Sequence, residues 1–159
     1  MTAPDADPPV LGALRSHPFL AGLDDGDLVV LARCGRLQAV AAGQVLAREG
    51  RAADTFHLVV DGQVALQVHS PRGGAIVLST VGAGQVLGWS WRFPPHRWFF
   101  DAVTVVGTTT VLFEAAALRA ALEERPALDA EITCRLGVVV TDRLRDARTQ
   151  LLDLYEVSP

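Results

Sequence analysis

Four histidines, two cysteines and one aromatic stretch hold most of the reactive side chains in this chain. His17, His57, His69 and His96 are scattered without a His-x-His pair, and Cys34 and Cys134 lie far apart. Neither pattern has the spacing of a metal site. No serine or cysteine nucleophile motif is present, so an enzyme is not expected, and neither is a cofactor or a metal ligand. What remains is the stretch from Gly84 to Ala102. It contains all three tryptophans, Trp89, Trp91 and Trp98, and three of the six phenylalanines, with Arg92, Arg97 and Asp101 among them. A glycine turn, an aromatic segment with arginines and a Pro94-Pro95 break read as an irregular insert. Such inserts carry binding sites where a rigid scaffold holds them. The competing reading is a loop whose aromatics complete the core.

The elements around it are legible from periodicity. Residues 1–9, acidic and proline-rich, are expected as a flexible tail. Residues 10–15 predict a short helix stopped near His17-Pro18, because the residue before proline avoids the α region. Asp24, Asp25 and Asp27 supply helix-start carboxylates, Leu28, Val29, Leu31 and Ala32 an apolar face, and Gly35 the stop. From residue 36 the period becomes strand-like. Strands are expected at residues 37–40, 44–48, 55–60, 63–69, 75–81, 103–106 and 109–113, with a hairpin turn at Asp61-Gly62. Short strands at regular spacing predict a β jelly-roll barrel over about residues 36–113. Helical periodicity then returns: one helix over residues 114–124, a break at Arg125-Pro126, and a long helix over about 127–155. The fold class is therefore mainly β with flanking helices, N-terminal helices before the barrel and a long helix after it, in a single domain over residues 10–159.

On the long helix, Val140, Leu144, Ala147, Leu151 and Leu154 recur at alternating steps of four and three, a coiled-coil seam. Two readings stand: the helix docks on its own barrel, or it pairs with a second copy. A homodimer through this seam is the expectation. The chain has 159 residues, a formal charge of −4, fourteen positive residues that are all arginine, and no basic stripe. That excludes the footprint of a nucleic-acid binder. No apolar run approaches a membrane span, the N-terminus is unlike a signal peptide, and the two cysteines suit a reducing compartment. A cytoplasmic protein is expected, with no membrane partner.

Gly43, Glu49-Gly50, Ala53-Asp54, Phe56, Leu58, Gly62 and Val64, in that order and spacing, resemble the first half of a cyclic nucleotide-binding domain. This is the module of the catabolite activator protein superfamily. His17-Pro18-Phe19-Leu20-Ala21-Gly22-Leu23 resembles that family's N-terminal segment, and the resemblance covers roughly residues 14–155. It implies that Gly84 to Ala102 is the phosphate-binding cassette, a turn and short helix whose backbone N–H groups cradle a cyclic phosphate. In the family a Gly-Glu pair opens the cassette and the glutamate accepts the ribose hydroxyl. An arginine before a small Ser/Thr-Ala pair neutralises the phosphate.

Here the glycine is kept as Gly88, followed by Trp89, Ser90 and Trp91, and Trp89 stands where the glutamate belongs. Indole donates only, so the ribose acceptor is gone. Arg97 is the basic candidate, but Trp98, Phe99 and Phe100 separate it from the small pair Asp101-Ala102. Arg97 either faces a ligand or pairs with Asp101, and the pairing is the expectation. The segments Gly88 to Ala102 and Leu151 to Tyr155 also resemble stand-alone bacterial domains of this superfamily. DNA-binding members continue into a helix-turn-helix domain, whereas this chain stops at Pro159, so direct DNA binding is not expected.

The resulting expectation is a non-catalytic ligand-sensing or regulatory module with a degenerate cassette, taking a nucleotide or a flat aromatic molecule and acting through a partner protein. Its site would draw on Gly88, Trp89, Ser90, Trp91, Arg97, Trp98, Asp101 and Ala102. Two alternatives remain: a working cyclic nucleotide-binding regulator, and an interaction domain whose pocket its own tryptophans plug.

Overall fold

The computed structural model describes residues 5–156. Its centre is two antiparallel four-stranded sheets. The eight strands are β1 (Gly35–Val40), β2 (Val45–Ala47), β3 (Thr55–Asp61), β4 (Gln63–His69), β5 (Ala75–Gly82), β6 (Val86–Leu87), β7 (Asp101–Thr104) and β8 (Thr108–Glu114). One sheet has the order β1-β8-β3-β6 and the other β2-β7-β4-β5. The jelly-roll expectation thus holds as two sheets, not as a closed barrel. Strand alternation divides the core in two. Val59, Val64, Leu66, Val81, Leu87 and Ala102 fill the space between the sheets. Phe56, Leu58, Val111 and Phe113 face the other way, onto the helices.

Those helices are α1 (Pro8–Ser16), α2 (Asp25–Cys34), α3 (Ala115–Glu123) and α4 (Pro126–Glu156). Helix α1 starts two residues earlier than residue 10, because proline suits the first helical turn, where its missing N–H has no partner to lose. Of the expected tail, residues 1–4 lie outside the described residues, and Asp5 to Asp7 precede the helix without regular structure. Asp24 caps α2 by accepting the Asp27 N–H at 2.8 Å, and α2 stops at Gly35 as expected. A single 3-10 turn at Pro18–Leu20 follows α1. His17 opens it, with Nδ1 accepting the Phe19 N–H and Nε2–H donating to the Val59 carbonyl at 3.0 Å. Burial holds the His17 pKa below the ordinary histidine value, so this neutral tautomer persists.

Two strand expectations need correcting. Val86 and Leu87 are not part of an irregular insert; they pair with Leu58 and His57. The strand placed at residues 103–106 lies at Asp101–Thr104, with Asp101 opposite Gln67 and Ala102 opposite Leu66. Val105 and Val106 are instead exposed in the turn that follows. Apolar β-branched residues in a tight turn are indistinguishable from a strand end by propensity alone.

Helix α4 settles where its own seam points. Leu128, Ile132 and Leu136 dock it on the body. Further along, Leu144 is 70% exposed, Leu151 57% and Leu154 72%. Within this chain the seam is half-buried at Val140 and open from Leu144 onward.

Candidate functional site

The site is built from the link between β6 and β7. Gly88 has φ 97°, and a Cβ there would lie 2.6 Å from the Trp98 ring and 2.9 Å from the Thr55 carbonyl oxygen, so only glycine fits. A three-residue 3-10 turn, Trp89–Trp91, follows. Its Trp91 N–H is spent on the Gly88 carbonyl at 3.2 Å. Trp91 is fully buried, tilted against Phe56, with the guanidinium groups of Arg92 and Arg119 each 5.9 Å from its ring. The Trp91 carbonyl accepts from Arg119 at 2.8 Å and from His96 Nδ1 at 3.0 Å. Trp91 and Ser90 are therefore core and scaffold. Trp89 is half-buried and stacks on Phe99 at 5.6 Å.

The far half of the link corrects the expected pairing. Arg97 does not meet Asp101. Its Nη1 donates to the Gly50 carbonyl at 2.8 Å, and residues 97 and 52 form a β-bridge that turns the arginine outward. Asp101 is 4% exposed and already served: Oδ1 accepts the Glu49 N–H at 2.8 Å, and Oδ2 accepts from Arg48 at 3.1 Å, with His69 Nδ1 at 3.4 Å. Each is claimed instead by the turn after β2, Arg97 through the Gly50 carbonyl and Asp101 through the Glu49 N–H and Arg48. Trp98 and Ala102 pack between the sheets.

Beside the link lies a cleft of about 670 Å³. The link supplies Trp89 and Phe100 to it, the β5–β6 turn and β6 supply Gly84 and Val86, β4 and β5 supply Leu66 and Leu78, and α4 closes it with Val140, Arg143, Leu144 and Ala147. Of the expected site residues only Trp89 lines this space. Gly88 shapes the turn, and Ser90, Trp91, Arg97, Trp98, Asp101 and Ala102 lie elsewhere. Three seam residues, Val140, Leu144 and Ala147, border it instead.

Two lining residues escaped the sequence reading. Phe100 directly precedes Asp101-Ala102, the position at which the resemblance puts the phosphate arginine; that spacing was a usable signal. Arg143 has no comparable signal, being one of several arginines on a polar helix. Its Nη2 donates to the Val86 carbonyl at 3.2 Å, while Nε is buried without a partner. Burial lowers its pKa from the usual guanidinium value and the nearby Asp146 opposes that shift. Trp89 Nε1 also lacks a partner. No group of three His, Cys, Asp or Glu residues is placed to hold a metal among the described residues, and none of their helices is long and apolar enough to cross a membrane.

Comparison with known proteins agrees with this geometry. Residues 37–125 match the profile of the Cyclic nucleotide-binding domain. The chain is 28% identical over 112 residues to a CRP-like cAMP-activated global transcriptional regulator of Mycobacterium tuberculosis, covering 70% of this chain and 48% of that relative. It thus spans about half the length of the curated relatives it matches. The N-terminal domain of a Streptomyces coelicolor transcriptional regulator superposes with a TM-score of 0.66 at 27% identity, covering 87% of this chain and 94% of that one. A cyclic nucleotide-binding domain from Methylobacillus flagellatus has the same fold, with a TM-score of 0.77 at 21% identity and coverage of 91% and 81%. With the matched profile spanning both sheets and the cassette between β6 and β7, this chain belongs to the cyclic nucleotide-binding domain family.

Proposed function

We propose that this chain is a non-catalytic ligand-sensing module that has lost tight cyclic nucleotide binding. The observation that carries the reading is the pair of aromatics at the two anchoring positions. Trp89 follows the cassette glycine and Phe100 precedes Asp101-Ala102, while Arg97, the basic residue of that stretch closest in sequence to this pair, is bound to the Gly50 carbonyl. A buried ribose hydroxyl left without its acceptor costs roughly 1–3 kcal/mol, and an unmatched phosphate at least as much. Together these remove about two to four decades of affinity. The cleft remains open beside Trp89, which favours a sensor over a domain plugged by its own tryptophans. Its aromatic and aliphatic walls suit a flat, largely apolar ligand.

The output follows from α4, which borders the cleft and carries the exposed seam. The module acts as a homodimer through that helix and passes its signal to a partner protein, without contacting DNA itself. Titration calorimetry with cyclic AMP and cyclic GMP tests the central claim: no saturable heat is expected below millimolar concentration. Saturable micromolar binding of either nucleotide overturns it.

A further inference from the structure

Resting on the reading of the cleft as a sensing site, we infer that its ligand is an apolar-bodied organic monoanion, such as an aryl carboxylate, whose charge is met by Arg143 on α4. Among the described residues, Arg143 is the sole cation lining the cleft. Two lining residues carry a buried side-chain atom without a partner, Trp89 Nε1 and Arg143 Nε, and both atoms are N–H donors. These two donors have no acceptor within reach although the lining carries other polar groups, and a carboxylate supplies acceptors with charge. The lining also includes Asp142 and Asp146, but both are exposed at the rim, and Asp142 is turned to Arg145 at 3.4 Å. Arg143 is half-buried behind them and anchored to the Val86 carbonyl, where an ion pair is screened less than at the surface. An arginine already tied to β6 by one nitrogen keeps further N–H groups for a ligand, so binding links α4 to the strand that enters the cassette.

The test uses a matched pair of fluorescent probes: anilinonaphthalene sulfonate and its uncharged parent, phenylnaphthylamine. Both are titrated into the full chain, and the ratio of their dissociation constants isolates the charge. In Arg143→Gln the sulfonate is expected to lose about tenfold relative to the neutral probe. Arg143→Lys should retain most of the preference. Asp146→Asn, which leaves the Arg143 anchor untouched, should strengthen sulfonate binding by about two- to fivefold. A ratio unchanged in both Arg143→Gln and Asp146→Asn overturns the anion assignment and leaves the sensing cleft standing. If neither probe binds saturably, the sensing reading fails and this inference with it.

Discussion

His57 lies in the central strand β3, buried, with Nδ1 3.2 Å from the Thr110 hydroxyl and Nε2 without a partner. Desolvation first, and the positive charge of Arg36 second, lower its pKa from 6.5 to about 4. The unfolded chain therefore binds a proton that the folded chain refuses between those values. Stability is whole above pH 6.5 and falls as pH drops toward 4, by about 3 kcal/mol from this group. Denaturant unfolding between pH 7 and 4 should show that decline, and His57→Val should flatten it; an equally steep decline in the variant would show that another group is responsible. Gly88 makes a second prediction at this scale. Gly88→Ala combines a left-handed backbone with contacts under 3 Å to Trp98 and the Thr55 carbonyl, so about 2–4 kcal/mol of stability should be lost. Thermal melts of the two proteins check this.

One buried carboxylate ties the turn after β2 to the start of β7. Asp101 accepts from the Glu49 backbone and from Arg48, and it is buried, so its removal strands a backbone donor. Asp101→Ala is expected to cost about 2–3 kcal/mol, whereas Arg48→Ala, which removes a half-exposed partner, should cost under about 1 kcal/mol. Urea midpoints at fixed pH distinguish the two. Equal losses would mean that the ion pair, not the backbone bond, holds the element. On the other side of the molecule, arginines latch α3 and α4 to neighbouring segments: Arg119 to the Trp91 carbonyl in the link, Arg135 to the Phe19 carbonyl in the 3-10 turn and Arg143 to the Val86 carbonyl in β6. Arg92 adds an ion pair with Asp129 at 3.0 Å. Of these contacts, the Arg92–Asp129 pair is the one that joins the link directly to α4.

At the scale of the whole molecule, α4 carries four large exposed apolar side chains in its last turns: Leu151, Leu152, Leu154 and Tyr155. Edge strand β5 adds Ile76, Val77 and Leu78, and Gln150 donates to the Leu78 carbonyl at 3.1 Å, bringing the two surfaces together. A second copy of the chain would cover the seam in a symmetric interface. Leu144→Asp with Leu151→Asp places charge in that seam, so if a second copy covers it the parent is expected to sediment as a dimer and the double variant as a folded monomer. An unchanged sedimentation coefficient would exclude the seam as the contact.

Apart from the two-residue β6, the order and type of the main elements were legible in sequence because they follow from local periodicity. Strict alternation in Gln63 to His69, the Asp61-Gly62 turn and the Pro126 helix start each act over a few residues. The tryptophan that stands after Gly88 where the family carries glutamate was equally legible, since indole cannot accept wherever it points. Which side chains share a space was not. Arg97 and Asp101 are four residues apart, yet each is bonded by the chain near residues 48–50, through pairings that sequence proximity does not encode. Arg143 reaches the cleft only because Leu128, Ile132 and Leu136 set the rotation of α4 on the body more than a turn earlier. Local pattern determined the elements and the loss of the cassette's acceptor. The closure of the cleft by α4, and the charge it carries there, were decided by packing between segments far apart in the chain.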